Sequence, residues 1–481
     1  MDGASTAESI PALRTGTARG RWVIAVAVLG SGVAFLDGTV VNVALPAIAR
    51  DLHADLAGLQ WVLTGYLLTM GSLLIVGGSL GDHFGRRRVF VIGLIGFAGA
   101  SLLCGVAPTL SMLIAARCLQ GVAAALLVPG SLAIISASFC PEDRGRAIGA
   151  WSGLAGVATV IGPFLGGWLI DTATWRLVFF INVPLVALTV LLAMRHVPET
   201  RDVNAPHRID ILGGLALVAG LGGVVYALIE GPSVGWAGAP AVVGALGTLL
   251  LVVFLEIERR SAHAMVPLAI FRSRQFSGAN AVTLAVYAAL GVTTFLLVVH
   301  LQTDLGYSAL EAGASLLPVT ALLLLFSARA GALAQRIGPR VPMTVGPLVI
   351  AGAMLLFGRV QPGRSYWNAV FPAALMLGAG LALTVAPLTT AVLAAIDDDH
   401  SGLGSAINNA VARLAGLLAI AVIPAAAGLA GVGHALDLGH GYQRAMQIAA
   451  AVTLVGAALA WTTIRRSFPV GRAAQRGPEA A

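Results

Sequence analysis

The chain has 481 residues, of which 58% are hydrophobic and only 11% are charged, and its mean hydropathy is +0.89. An average soluble domain is about one quarter charged, so one water-soluble core cannot hold these apolar side chains and the lipid bilayer is the predicted solvent. The net charge of +7 does not indicate nucleic-acid binding, because the arginines lie in short segments between apolar runs. The three cysteines lack CxxC or metal-ligand spacing, which argues against a disulfide framework or a zinc site.

Fourteen apolar runs are long enough to cross a bilayer as helices, since about 20 residues span its hydrocarbon core. In chain order the predicted spans are 22–46, 58–81, 88–106, 109–138, 147–170, 176–194, 210–230, 237–256, 276–301, 311–335, 341–358, 367–395, 403–430 and 445–463. The first run is too long for the core of a signal peptide, so residues 1–21 are predicted to be a retained tail. The sequence therefore predicts an all-α integral membrane protein.

Arginine positions predict the orientation of these spans. With the N-terminus in the cytoplasm, 21 of the 29 basic residues lie on the cytoplasmic side, five lie outside and three lie within spans. Because positively charged loops remain in the cytoplasm, both termini are predicted to be cytoplasmic and the protein to be a multi-pass protein of the plasma (inner) membrane. The acidic segment 397–400 is also placed inside, since acids contribute little to this rule.

An internal repeat predicts how the spans are grouped. Segment 78–87 (GSLGDHFGRR) and segment 331–340 (GALAQRIGPR) share Gly, Leu, Gly and Arg at matching positions, each after the second span of its half. Such a repeat is typical of two six-helix halves, here with two helices inserted between them. The predicted units are an N-terminal tail, a six-helix bundle, a linker region with two helices, a second six-helix bundle and a C-terminal tail, at 1–21, 22–194, 195–275, 276–463 and 464–481.

Two charged residues stand out inside the spans. Asp37 lies in the first run, within AFLDGTVVNVALP, and Arg117 lies in the fourth at a similar predicted depth. Each alone costs several kcal/mol in a membrane, about 3 on insertion scales, whereas a facing pair offsets much of that cost. Burial and a nearby arginine act in opposite directions on the proton affinity of a carboxylate, so Asp37 and Arg117 together are predicted to form a site that takes up and releases a proton. The alternatives are an acid that only bonds to neighbouring backbone and an arginine that extends to the interface.

Further polar residues within the spans are predicted to line a cavity between the helices, which the resemblance stated below would make a substrate cavity. These are Asn42, Tyr66, Gln120, Asn408, Asn409 and Arg413. The alternative stays open for each of them, because a single amide or aromatic ring in a membrane helix more often contributes to packing.

The first repeat copy also has the composition of a charged turn. Glycine permits a tight turn and close contact between helices, and an acid and an arginine four residues apart can pair. The residues concerned are Gly78, Asp82, Gly85, Arg86 and Arg87. An ordinary turn that follows the orientation rule is the alternative.

The fifth span contains the small-residue segment GVATVIGPFLGGWL at 156–169. Glycines three or four residues apart make a smooth helix face that allows close packing, and a proline removes a backbone hydrogen bond and can bend the helix. Its members are Gly156, Gly162, Pro163, Gly166 and Gly167. Generic small-residue packing is the alternative.

These segments together resemble a known family. GSLGDHFGRRR resembles motif A of the major facilitator superfamily, and LDGTVVNVALP, RCLQGVAAALLVPG and GVATVIGPFLGGWL resemble motifs of its drug:proton antiporters in the first, fourth and fifth spans. WRLVFFINVP, LQTDLGYSALEAGASLLP and GSAINNAVARLAG are similar to segments of the fourteen-helix members.

The resemblance implies roles for the motifs. The first repeat copy would form a cytoplasmic latch that holds the two halves together while the central cavity opens outward, and the fifth-span face would contact the other half and mark an exporter. Gln335 stands where the second copy would carry the acid, so that copy is predicted to keep the turn without the charge.

The function predicted from these features is proton-coupled export of drugs, antibiotics or other small amphipathic compounds by alternating access. No GxxxxGK[ST] loop is present, so ATP is not the predicted energy source. The expected partners are a small-molecule substrate, protons and lipid, with no nucleic acid, metal or cofactor, and the working unit is predicted to be a monomer. An uptake symporter and a metabolite or lipid exporter on the same fold remain alternatives, whereas no loop has the reactive cluster that a membrane enzyme needs.

Overall fold

The computed structural model describes residues 13–202, 210–261, 266–396, 401–431, 433 and 436–466. Within these residues every long element is a helix. The helices are α1 Ala18–Leu52, α2 Leu56–Phe84, α3 Arg86–Gly105, α4 Leu110–Ser138, α5 Pro141–Thr172, α6 Leu177–Phe180, α7 Asn182–His196, α8 Ile211–Val234, α9 Ala239–Arg260, α10 Arg274–Thr303, α11 Ala309–Ala314, α12 Leu317–Ile337, α13 Arg340–Phe357, α14 Tyr366–Leu393, α15 Ser401–Ala426 and α16 Gly439–Thr463. A short 3-10 turn, Leu268–Arg272, precedes α10.

Fourteen of the described segments are long and apolar enough to cross a membrane, with α6 and α7 forming one of them and α11 and α12 another. The predicted all-α class and the number of spans are therefore confirmed. The segment 397–400, most of both tails and part of the linker lie outside the described residues, and the cytoplasmic placement of the termini stays a prediction.

Two of the fourteen spans contain a short interruption of the helix that the sequence analysis does not predict. Span 176–194 is interrupted at Ile181, and span 311–335 is interrupted at Ser315 and Leu316. A proline early in the following helix explains each break, since Pro184 and Pro318 lack the N–H group that a continuous helix would require.

Several predicted ends also differ from the structure. The fifth helix begins at Pro141, six residues before the apolar run, because proline and two acids, Glu142 and Asp143, favour the first turn of a helix. The thirteenth predicted span ends at Ala426 rather than at residue 430, and Gly428 follows with φ +83°. The fifth helix is thus longer than its apolar run at its start, and the thirteenth span is shorter than its apolar run at its end.

The two repeat copies occupy matching places in the fold. The matched glycines Gly85 and Gly338 end α2 and α12, with φ values of +105° and +84°. This backbone conformation disfavours any residue with a Cβ atom, which explains why glycine stands at both positions. The next helix, α3 or α13, begins within two residues in each copy.

The helices pack in two groups, α1–α7 and α10–α16, and α8 forms a pair with α9. Contacts between the groups run through α2 with α15, α5 with α11, and α1 with α10. The predicted unit boundaries at 194 and 275 stay predictions.

Helix α8 covers the seam between the two groups. Its residues Leu221, Val225 and Ile229 pack in one apolar cluster with Leu68 of α2 and with α15. Helix α9 packs on α8, and Leu246, Leu249 and Val252 are exposed on it. An apolar surface of this kind suits contact with lipid, so the inserted pair separates the seam from the bilayer.

Candidate functional site

Asp37 in α1 and Arg117 in α4 form a buried ion pair. Arg117 Nη1 donates to Asp37 Oδ2 at 2.5 Å, and the side chains of Asp37 and Arg117 are 0% and 1% exposed. The structure therefore brings together the two membrane charges whose depths were matched in the sequence. Neither side chain extends to the interface.

Two amides complete the contacts of the carboxylate. Gln120 Nε2 donates to Asp37 Oδ1 at 2.8 Å, and Asn182 Nδ2 donates to the same oxygen at 3.0 Å. Ser101 Oγ, in α3, accepts from both amides at 2.8 Å and 3.3 Å. The network is fully buried and joins α1, α3, α4 and α7, so a change at Asp37 is transmitted to four helices.

Arg117 has acceptors besides the carboxylate. Its Nη1 donates to Gln120 Oε1 at 2.6 Å, and its Nε donates to the Val62 carbonyl at 3.1 Å. Its guanidinium carbon lies 4.3 Å from the ring centre of Tyr66, a cation–π contact. The Tyr66 hydroxyl donates to the Ala34 carbonyl, so Tyr66 is part of the wall of the ion-pair site.

Ser101 and Asn182 were missed by the sequence reasoning. Each is a single polar residue in an apolar helix, without a spacing that relates it to Asp37, so only the fold shows the contact.

The side-chain amide of Asn182 also bears on the protonation of Asp37. Among the described residues, the Oδ1 atom of Asn182 is buried and lacks a hydrogen-bond partner, so a rotation of this amide would present an acceptor to a protonated Asp37.

The remaining residues predicted to line a cavity have different surroundings. Asn42 Nδ2 donates to the Gly38 carbonyl of its own helix. Asn408 Nδ2 donates to Asn280 Oδ1 at 3.1 Å and to Thr283 Oγ1 at 2.8 Å, which joins α15 to α10.

Asn409 and Arg413 lie one turn apart on α15. Asn409 is exposed, and Arg413 is half-buried, as Asn42 and Asn408 are. The guanidinium carbon of Arg413 lies 5.5 Å from the ring centre of Phe35 in α1. Arg413 therefore contacts the other helix group, whereas the hydrogen bonds that Asn42 and Asn408 donate stay within their own group.

The charged turn of the first repeat copy is bound to its own helix group. Asp82 Oδ1 accepts from Arg86 Nε at 2.8 Å, and Arg86 N donates to the Thr200 carbonyl. Glu199 accepts from the backbone N–H of Arg87 at 3.1 Å and that of Arg88 at 3.1 Å, at the start of α3 where a carboxylate is favourable. In the described part of the chain, none of the hydrogen bonds from this turn reaches α10–α16.

The small-residue face of α5 is in close contact at one end only. A Cβ atom at Gly162 or Gly166 would collide with α1, and one at Gly167 would collide with the backbone of Ala309 and Leu310 in α11. Gly156 has open space where its Cβ would lie. The carbonyl of Pro163 lies against Gly313, where a Cβ would also collide, so close packing joins α5 to α11.

Polar contacts between the helix groups lie at that same end. Asp171, at the end of α5, accepts from Ala309 N at 3.0 Å and from Leu310 N at 2.8 Å. Gln302 Nε2 donates to the Val43 carbonyl at 3.0 Å. At the other end, Gly149 of α5 has no atom within 4 Å of its absent Cβ. Among the described residues, these contacts of α5 with α11 and of α10 with α1 therefore lie at the end away from the arginine-rich turns.

Comparisons with known proteins agree with this architecture. Residues 27–420 match the model of the Major Facilitator Superfamily. A multidrug resistance protein of Mycobacterium tuberculosis (strain CDC 1551 / Oshkosh) is 36% identical over 403 residues, covering 82% of this chain and 73% of the relative. A puromycin resistance protein of Streptomyces alboniger is 35% identical, covering 92% and 91%. A methylenomycin A resistance protein of Streptomyces coelicolor is 31% identical, covering 96% of both chains.

Solved structures show the same fold at low identity. A peptide transporter in complex with sulfate superposes with a TM-score of 0.68 at 14% identity, covering 91% of this chain and 93% of that one. The inward open conformation of the xylose transporter of E. coli superposes with a TM-score of 0.63 at 16% identity, covering 92% and 96%.

Proposed function

Because the chain belongs to the Major Facilitator Superfamily, we propose that it exports small organic compounds, drugs or antibiotics among them, in exchange for protons. The observation that carries this proposal is the buried Asp37–Arg117 pair at the junction of four helices. The names of three relatives, which confer resistance to drugs or antibiotics, support export over uptake.

We propose that both termini face the cytoplasm. The arginine-rich turns support this orientation, since positive loops remain inside. The end that carries those turns then faces the cytoplasm, and we infer that the bundle opens there to take up substrate from the cell interior. The contacts of Asp171 and Gly167 with α11 would close the outer end in this state.

The proton step follows from the contacts of the pair. In the outward-open state a proton from the outside water would bind a carboxylate oxygen of Asp37 and cancel its attraction to the guanidinium. Arg117 would keep Gln120 Oε1 and the Val62 carbonyl as acceptors, and the free amide oxygen of Asn182 could accept from the new O–H group. Protonation thereby changes the contacts of four helices at once, and release of the proton to the cytoplasm would restore the pair.

The proton gradient supplies enough energy for this exchange. Moving one charge across a membrane gains about 2.3 kcal/mol per 100 mV, and a tenfold substrate gradient costs about 1.4 kcal/mol. We propose that no cofactor or metal takes part, that the chain catalyses no reaction, that a monomer in the plasma membrane is the working unit, and that nucleic acid is not a partner.

Inside-out vesicles from a host without its own drug exporters test this function. When the vesicle lumen is acidified, the wild-type protein is expected to accumulate puromycin in the lumen, and an uncoupler should release it. An uptake symporter would instead deplete the lumen under the same gradient. No accumulation of puromycin or of any other drug in a screening panel would refute export.

Asp82→Asn tests the charged turn. The variant is expected to insert in normal amount but to export about tenfold more slowly, because the latch of the outward-open state loses its charge. Export rate and membrane yield are measured beside Glu142→Gln, which removes another acid near the same end. Wild-type export by Asp82→Asn would show that the turn has no latch role.

Gly167→Val tests the contact of α5 with α11. A valine there collides with the backbone of α11, so export is expected to fall about tenfold or more as the outer-closed state is destabilised. Gly99→Val is the matched control, since Gly99 of α3 has open space around its absent Cβ. Equal export rates in the two variants would contradict the contact's role.

A further inference from the structure

Arg413 lies where the two helix groups meet. Its guanidinium faces the ring of Phe35 in α1, and its Cβ lies 3.3 Å from the position that a Cβ of Gly71 in α2 would occupy. Tyr66 of α2 and Tyr287 of α10 are close enough to interact electrostatically with it. Helices from both groups therefore surround this one cation, at the place that changes when the groups move.

In the part of the chain that the structure describes, Arg413 differs from Arg117 in having no anionic partner. Its close contact is the aromatic ring of Phe35, with neither an ion pair nor a hydrogen bond to a carboxylate. The nearby acid of the membrane interior, Asp37, is already bound by Arg117, Gln120 and Asn182. A cation in the membrane interior is unfavourable unless it is paired or faces water, and the half-buried side chain of Arg413 lies between the two helix groups without an acid beside it among the described residues.

The surroundings of Arg413 have the composition of a binding site. Asn409 lies one helical turn before it and Ser405 two turns before it, so the three share one face of α15. Asn409 is exposed and donates to the Ser405 carbonyl. One cation, an amide on the same face and the flat rings around it match a molecule with an aromatic body and one negative group.

We infer that Arg413 is the anchor for an anionic group of the substrate, so that aromatic or amphipathic monoanions are among the exported compounds, beside amines such as puromycin that Arg413 does not hold. The inference rests on the proposed transport function. With Asp37 and Arg117 neutralising each other, Arg413 leaves a net charge of +1 that a monoanion cancels. The inside-negative membrane potential then favours export, since it drives an anion outward.

An anionic lipid headgroup carries the same chemistry as an anionic substrate. Helix α8 covers the seam of α2 and α15 through Leu221 and Val225, which separates Arg413 from the bilayer on that side. The small molecule is therefore the favoured ligand, and the lipid is tested as a competitor.

Binding to purified protein, in phosphatidylcholine nanodiscs and in nanodiscs with added phosphatidylglycerol, tests the inference. The probes are radiolabelled naphthalene and anthracene carboxylates, their methyl esters and the matching trimethylammonium compounds. Wild-type protein is expected to bind the carboxylates best in both lipids. Arg413→Gln should weaken carboxylate binding roughly 10- to 100-fold and leave the esters unchanged, while Arg413→Lys keeps part of the affinity.

Arg329→Gln is the matched control, because Arg329 also lies beside a phenylalanine ring, 5.6 Å from that of Phe326, but on the exposed face of α12. It should bind every probe as the wild type does, and thermal unfolding should match for all variants.

Four results would overturn the inference: a wild-type preference for the cations or esters, equal loss of all probes in Arg413→Gln, carboxylate binding abolished by phosphatidylglycerol, or no probe bound by a protein that exports puromycin. Carboxylate binding without any export in vesicles would instead refute the proposed function alone.

Discussion

Asp37→Asn is expected to abolish the accumulation of drug against a gradient while substrate still exchanges across the membrane. Asparagine is close to aspartate in size and cannot carry the proton, so the proton gradient loses its point of entry. Arg117 keeps the Gln120 and Val62 oxygens as acceptors, so the folded protein should persist although a buried charge has lost its partner.

Two assays on the same vesicles separate these effects. Accumulation driven by a pH gradient should be absent in Asp37→Asn, and counterflow of labelled against unlabelled puromycin should remain. Asp37→Glu, which restores a titratable acid, should recover part of the accumulation. Full accumulation by Asp37→Asn would mean that the acid is only structural.

Arg117→Met is expected to destabilise the protein more than any other single change considered. It leaves Asp37 charged and buried with only the amides of Gln120 and Asn182 as donors, and breaking a buried pair in this way costs about 3–5 kcal/mol. The thermal unfolding midpoint of the purified variant, measured as the fraction of monodisperse protein that remains after heating, should be clearly lower than that of the wild type.

The double variant Asp37→Leu with Arg117→Met separates stability from coupling. Replacing both members of a buried pair by apolar residues of similar volume is often neutral or stabilising, so the midpoint should return close to the wild-type value while proton-driven accumulation stays absent. A double variant as unstable as Arg117→Met would show that the two residues do not act as a pair.

The ion pair could be predicted from the sequence because charge is so costly in a membrane. Asp37 and Arg117 were the conspicuous charges in their spans, and two isolated charges of opposite sign are far less favourable than one pair. Gln120 lies one turn from Arg117 on the same helix, so its place in the network also follows from the sequence. Asn42 carried the same kind of signal, but its amide bonds to its own helix.

The contacts that the sequence did not reveal depend on how distant helices pack. Ser101 and Asn182 meet Asp37 only because α3 and α7 pack beside α1, and a single serine or asparagine in an apolar helix has no signature of its own. The number of spans followed from hydropathy. The breaks before Pro184 and Pro318 and the position of α8 over the seam did not, because hydropathy measures how apolar a segment is and not which helices it packs against.

The central claim is that protons and substrate move in opposite directions through Asp37. The direct measurement uses liposomes that contain the purified protein and a trapped pH indicator, with no initial pH gradient. An imposed puromycin gradient is expected to drive protons the opposite way in the wild type and to leave the indicator unchanged in Asp37→Asn. Puromycin movement without proton movement in the wild type, or equal proton movement in the variant, would contradict the account.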